Sequence, residues 1–502
     1  MQIPPTISLT TRQIKVLLVV VFLLVIFLFI ANEYQKHQRR KHLILFQNEI
    51  RTIFSEQRIP EWINSYGLSE WVTETMYHAV TYAKCYSDEE FMEVVELFDL
   101  DNLDTMMLSG KKITDNSIRL LNRLPNLKEL ELFNTSITPS GMQEFTNTRQ
   151  LSVFRASGAG IDDQFFSDSS RFPVLRKVDI YRENLTDQGF SQLCRLTTLE
   201  ELSVYECSKI KGTALEQLSK LPNLTSLQLY DLNIEQKAIS KIHLNTKLQS
   251  LYLFLPQVGE LPSELADGIA RLPNLTFLHL QGMRINENVP LKLADINGLD
   301  AISLPDSPIS TEFLLRVMEK GSRAELTLSA NHLTSEQIEI LNRFYPDAGP
   351  GTGPDLFFSD QGPIPTNFDP LLELRPAPRD LTFFRLKLTK SHIDFIKKVN
   401  PNGLAMMEVI LPEEGLSWIN DLSSLGKIAI STMPISNTNL RQLNSPRFGA
   451  LLLFDTGLDE SSVEVIKKLD PMPKRIRLFY HDIPRHSREE LIYGHPKSNF
   501  HF

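Results

Sequence analysis

Between Leu124 and Thr138 the chain reads LPNLKELELFNTSIT, with apolar side chains at Leu127, Leu130, Leu132 and Ile137 in the spacing LxxLxLxxxxI. The spacing recurs. Its third apolar position falls at Leu108, Leu132, Ala156, Ile180, Val204, Leu229, Leu253, Leu280, Leu304 and Leu328, in steps of 24 or 25 residues with one of 27. Its last position follows in phase at Ile113, Ile137, Ile161, Leu185, Ile210, Ile234, Val258, Ile285, Ile309 and Leu333. Copies in register at this density mark a repeat architecture.

Each copy predicts two elements. The LxL alternation has period two, so a short strand points two side chains inward and the ones between them outward. After the isoleucine come a polar turn and an apolar pair spaced i, i+3, as in Ile118 and Leu121, Phe190 and Leu193, Leu215 and Leu218, Ile239 and Ile242, and Ile338 and Leu341. That pair predicts one short helix per copy on the side opposite the strand. A unit of two dozen residues is too small to fold alone, so the copies must stack and pair their strands into one parallel sheet. The fold class is α/β: a horseshoe solenoid with the sheet on its concave face and helices on its convex face.

The tails ITDNSI, ITPSGM, LTDQGF and LTSEQI, with the leucine spacing, resemble the leucine-rich-repeat family, in particular its ribonuclease-inhibitor-like, F-box-adaptor-like and bacterial I-T-D-x-G-L types. The resemblance covers residues from Asp99 to Pro346 and implies the fold strongly and the function weakly. It departs from the family where an Asn or Cys ladder belongs. Thr135, Ala159, Glu183, Leu232 and Ser307 stand there, and only Cys207 and Asn331 fit, so the turn hydrogen bonding is expected to be irregular.

The remaining chain divides by composition. Residues 14–31 carry an apolar run, VLLVVVFLLVIFLFIA from Val16 to Ala31, long enough for a transmembrane helix, and Phe29 at the exit disfavours signal cleavage there. Basic residues flank both ends, which leaves open the side on which the body lies. Residues 32–98, with Trp62, Trp71, Tyr77 and Phe91, read as a juxtamembrane helix and a helical N-terminal cap; 99–345 are the solenoid. Residues 346–380 are a Pro/Gly-rich linker or loop. A worn repeat returns over 381–483, with third positions at Leu388, Leu411, Ile430, Leu453 and Leu478, either continuing the first solenoid or forming its cap; 484–502 are a tail.

Charge and chemistry narrow the function. The net charge is -9, and setting aside Arg12, Lys15, Glu33, Lys36, Arg39, Arg40 and Lys41 leaves 46 basic against 60 acidic residues for the rest. An acidic body repels phosphate backbones, so no nucleic-acid partner is expected. Cys85, Cys194 and Cys207 have neither disulfide nor zinc spacing and read as small buried apolar residues. There is no HExxH, no GxSxG and no GK[ST] after the glycines at 349, 351 and 353, so neither an enzyme nor a cofactor or metal site is expected.

The informative positions point out of the strands. Phe133, Tyr181, Tyr205, Tyr230 and Phe254 follow the LxL of their copies, so from Tyr181 onward four successive copies present an aromatic at one height. Arg155, Asp179, Tyr252 and His279 are strand centres beside them. This concave aromatic ladder has the composition of a recognition surface for a protein partner; alternatively its rings pack on one another or under a terminal segment. The expectation is a membrane-anchored protein-interaction protein. The tails carry an alternative, a substrate adaptor of a ubiquitin-type degradation complex, which needs a recruiting module within 54–98.

Overall fold

The computed structural model describes residue 35, residues 50–54 and residues 78–479 except 99, 286–287, 320–324, 345–353, 361–366 and 444–448, with scattered positions between 483 and 501. The segment 14–31 lies outside these. Among the described residues no helix is long and apolar enough to cross a membrane.

The described residues build one 19-stranded sheet. Each strand pairs in parallel with the one before it, apart from Ile50–Phe54, which runs antiparallel to His78–Ser87. The aliphatic doublets sit on adjacent rungs: Leu130 and Leu132 lie beside Met106 and Leu108, Leu227 and Leu229 beside Leu251 and Leu253, and these beside Leu278 and Leu280. All belong to one continuous core. The i, i+3 pairs form the outer wall, as α-helix at Asp115–Leu121 and Asp187–Leu193 but as a tighter 3-10 turn at Leu215–Lys220.

The I-T-D-x-G tails are explained by contacts between rungs. Asp163 accepts from the backbone N–H and hydroxyl of Thr186, 2.8 and 2.6 Å away, and from the N–H of Gly189. Thr186 is the N-cap of the helix Asp187–Leu193. The carboxylate of one rung therefore caps the helix of the next, where free N–H groups and the helix dipole favour an anion. Asp115 serves Thr138 likewise. Glycine follows because a Cβ at Gly141 or Gly189 would collide with that carboxylate.

Three boundaries differ from the sequence reading. His78–Ser87 is a strand followed by the helix Asp88–Leu97, because Ala83 and Cys85 occupy the inward slots beside Met106 and Leu108. The ribbon thus reaches back to residue 78, and that part of 32–98 is not a helical cap. The stretch 346–380 contains the strand Asp355–Ser359, hydrogen-bonded on both sides, with Leu356 and Phe358 buried. Third positions over 381–483 are Phe383 and Met406, not Leu388 and Leu411, which come after the strands Asp380–Phe384 and Gly403–Met407. The sheet runs unbroken from the first set of repeats into the second.

One joint is out of line. Leu328, the second leucine of its doublet, pairs with Leu356, the first of the next, so the later rungs are displaced by two residues along the strand direction. The displacement is roughly 7 Å. It sets the central column of the later rungs level with the end column of the earlier ones.

Candidate functional site

The end column of the early strands is aligned by register: Ser157 pairs with Tyr181, Tyr181 with Tyr205, Tyr205 with Tyr230 and Tyr230 with Phe254. Successive ring centroids from Tyr181 to Tyr230 are 5.8 Å apart, and Tyr230 to Phe254 is 4.4 Å. A parallel sheet imposes about this spacing on side chains at one height. In the neighbouring column Tyr252 stacks on His279 at 4.0 Å with the rings 1° from coplanar, and Tyr230 lies 6.3 Å from Tyr252. Tyr181, Tyr205, Tyr230, Phe254, Tyr252 and His279 therefore form one chain of rings. Phe133 stands apart from it in the column, with Ser157 on the rung between.

Hydroxyls and charges fix this surface. Tyr181 donates to Glu206 and Tyr205 to Gln228, each at 2.5 Å. Burial pushes the Tyr230 phenol up to about 12, with the carboxylate of Glu408 adding to it. Burial pulls His279 down to about 4, against the opposing hydrogen bond of Gln281, so the imidazole is neutral at physiological pH. Arg155 and Asp179 belong to a separate ion cluster. Arg155 bonds Glu131 closely, reaches Asp179 at 3.1 Å and stands 3.8 Å from Glu129. Burial pulls the Arg155 guanidinium down, and Glu131 and Asp179 outweigh it to raise it.

The residue after many of the strands is held in the left-handed region, with φ of 49° at Asn134, 55° at Arg182, 52° at Glu206, 49° at Asp231, 52° at Arg385 and 49° at Asp455. That conformation costs an L-residue on the order of 1 kcal/mol. Its return is a further rung of the ladder: the N–H of Arg182 donates to the Tyr205 carbonyl and that of Glu206 to the Tyr230 carbonyl. The side chains of these residues form a charged rim along the ladder.

The sequence reading missed the facing wall. Phe357, Phe384 and Phe254 make a small apolar cluster of their own, with Tyr230, Tyr252 and Met407 packed on it. Phe384 and Met407 end their own strands as Tyr181 ends its own, but the two-residue displacement sets Phe357, Thr382 and Ala405 level with the Tyr181 column, so extending that column along the sequence does not find them. The rings of the early wall thus pack on one another, as one alternative held, and also against the later wall.

Cys85, Cys194 and Cys207 are buried thiols, none in a disulfide. Burial pushes the thiols of Cys194 and Cys207 up to about 12. Such thiols are poor nucleophiles at neutral pH.

No family model matches the chain. No curated protein matches it. Among solved structures it is similar to a leucine-rich-repeat protein of Leptospira interrogans, at 17% identity and a TM-score of 0.36 over 82% of this chain and 86% of that one. An internalin of Listeria monocytogenes gives 17% identity and 0.31 over 72% and 88%. The ectodomain of a membrane receptor kinase from Arabidopsis thaliana, in complex with Casparian strip integrity factor 2, gives 16% and 0.37 over 86% and 60%. Likenesses this distant carry no argument about what this chain binds. Its own rungs, with inward doublets about two dozen residues apart and strands paired in sequence order, have the architecture of a leucine-rich-repeat solenoid.

Proposed function

We propose that this chain is a membrane-anchored protein-interaction protein that binds a protein partner through the concave face of its solenoid. The observation that carries the reading is the unbroken row of rings from Tyr181 to Phe254 on the concave side of the sheet, with the three tyrosines half-buried and rimmed by Arg182, Glu206 and Asp231. Rigid aromatics lose little side-chain entropy on binding and bury much area, the composition of binding hot spots. The apolar run 14–31 supports the anchor. The adaptor alternative loses ground, because residues 78–97 of the segment it needs are built into the ribbon.

The test is a quantitative binding screen with the full-length chain in detergent micelles. Replacement of Tyr181, Tyr205 and Tyr230 by alanine together should weaken the partner at least about tenfold, the size expected for losing a hot-spot cluster. Unchanged affinity removes the ladder as the site. Resistance of the protein to alkaline extraction from membranes, lost when 14–31 is deleted, tests the anchor.

A further inference from the structure

The ladder faces its own far half. Phe384 meets Phe254 edge-on at 5.7 Å and Phe357 at 5.9 Å, and the three rings are 2%, 1% and 7% exposed. The strands Ser250–Phe254 and Asp380–Phe384 are not sheet neighbours, since Phe277–Gln281, Ala301–Leu304, Glu325–Ser329 and Asp355–Ser359 lie between them. The contact therefore spans the groove. Arg385, the next residue, lays its guanidinium over Phe254 at 5.5 Å and over Phe384 at 4.9 Å, and bonds Glu408 at 2.8 Å. Farther out, Arg182 reaches across to Asp455 at 3.5 Å while its guanidinium lies over Tyr181 at 4.8 Å.

These contacts repeat one recognition chemistry: an aromatic edge against a ring of the ladder, and a cation on the ring face anchored by a carboxylate. Sheet pairing does not require them, and the two-residue displacement brings Phe357 level with the early end column. We propose that Phe384 and Arg385 are an internal ligand of the ladder, so that a partner gains the surface at Tyr230 and Phe254 only by displacing them, with a segment that itself carries an aromatic side chain beside a cationic one. This rests on the concave-face reading above and adds to it the chemistry of the partner and a self-inhibited ground state. The measured affinity for such a partner is reduced by the fraction of molecules in which the clasp is open. The Arg182–Asp455 pair is exposed and contributes little; the buried rings supply the hold.

The experiment titrates the full-length chain in micelles with two labelled hexapeptides, one with Phe-Arg at its centre and one with Ala-Glu, by fluorescence anisotropy. The double variant Phe384→Ala, Arg385→Ala should bind the Phe-Arg peptide at least about tenfold more tightly than the wild type. Adding Tyr230→Ala should abolish the gain, and the Ala-Glu peptide should bind neither form. Equal affinity of wild type and emptied chain overturns the proposal, as does a gain that survives Tyr230→Ala or is shared by the Ala-Glu peptide. Hydrogen exchange over Ser226–Tyr230 and Ser250–Phe254 reports whether the emptied chain keeps its sheet. If it does not, the single variant Arg385→Gln decides, because it removes only the cation over Phe254 and Phe384 and leaves the buried rings in place: a smaller gain with the same selectivity supports the proposal, and no gain overturns it. A peptide gain without any protein partner would leave the clasp standing and remove the binding-protein reading. A partner held equally by wild type and emptied chain would do the reverse.

Discussion

Glu183 allows a sharp test of how the turns are held. Its carboxylate, 8% exposed, accepts from the N–H groups of Ala159 at 2.6 Å and Ile161 at 2.9 Å on the preceding rung, where the family would place an asparagine or cysteine. Burial pushes its pKa from 4.5 to about 7, although those donors pull the other way. Glu183→Leu fills the space but leaves two buried donors unpaired, each costing about 1–3 kcal/mol, so a loss of about 2–6 kcal/mol is expected. The charge acts in the opposite sense. A folded-state pKa above the unfolded one gives stability that is present below the unfolded value of 4.5 and is lost as pH rises through about 7. The shift amounts to about 3 kcal/mol at full ionisation. Glu183→Gln keeps one acceptor and removes the titration, so it should be less stable than the wild type at pH 5 and close to it at pH 8. Urea unfolding of the full-length protein followed by circular dichroism at both pH values measures this. A Leu variant within about 0.5 kcal/mol of wild type, the range of an ordinary surface substitution, or a Gln variant with the wild-type pH slope, would refute the reasoning.

Gly189→Ala should cost about 1–3 kcal/mol through collision with the Asp163 carboxylate; in a thermal-melting double-mutant cycle Asp163→Ala should absorb much of that cost, and additive losses would deny the contact. Phe383→Ala should cost about 3–5 kcal/mol, as should Phe154→Ala, because both rings are fully buried in one core; a much smaller loss in denaturant unfolding would mean the later rungs are packed differently. Cys194 and Cys207 should resist alkylation at pH 7.5 in the native protein and react only after denaturation, which mass spectrometry reads directly.

Residues Leu108 to Leu328 were legible because branched aliphatic side chains mark most inward slots, and parallel pairing of similar units then dictates their register. The slot itself selects for apolar volume, not for leucine. Ala83 and Cys85, Leu356 and Phe358, Leu381 and Phe383, and Leu404 and Met406 satisfy it equally well. Reading only aliphatics moved the later register to Leu388 and Leu411 and hid a strand among prolines and glycines. The candidate site suffered for the same reason. The column Tyr181 to Phe254 follows from period-two alternation alone, whereas its contact with Phe384 and Arg385 depends on how strongly the ribbon curves and on the displaced joint. Neither is written in the spacing of one repeat.

That joint carries a consequence for how such a chain can change. Side chains alternate faces every residue, so a slip of one would turn Leu356 and Phe358 to solvent, while a slip of two keeps every ring and aliphatic on its own side. The connection between Phe344 and Asp355 can therefore lengthen or shorten and reset the pitch of the screw in discrete increments, with no change of core composition. Altering which rungs meet across the opening would then need no substitution in the rungs themselves.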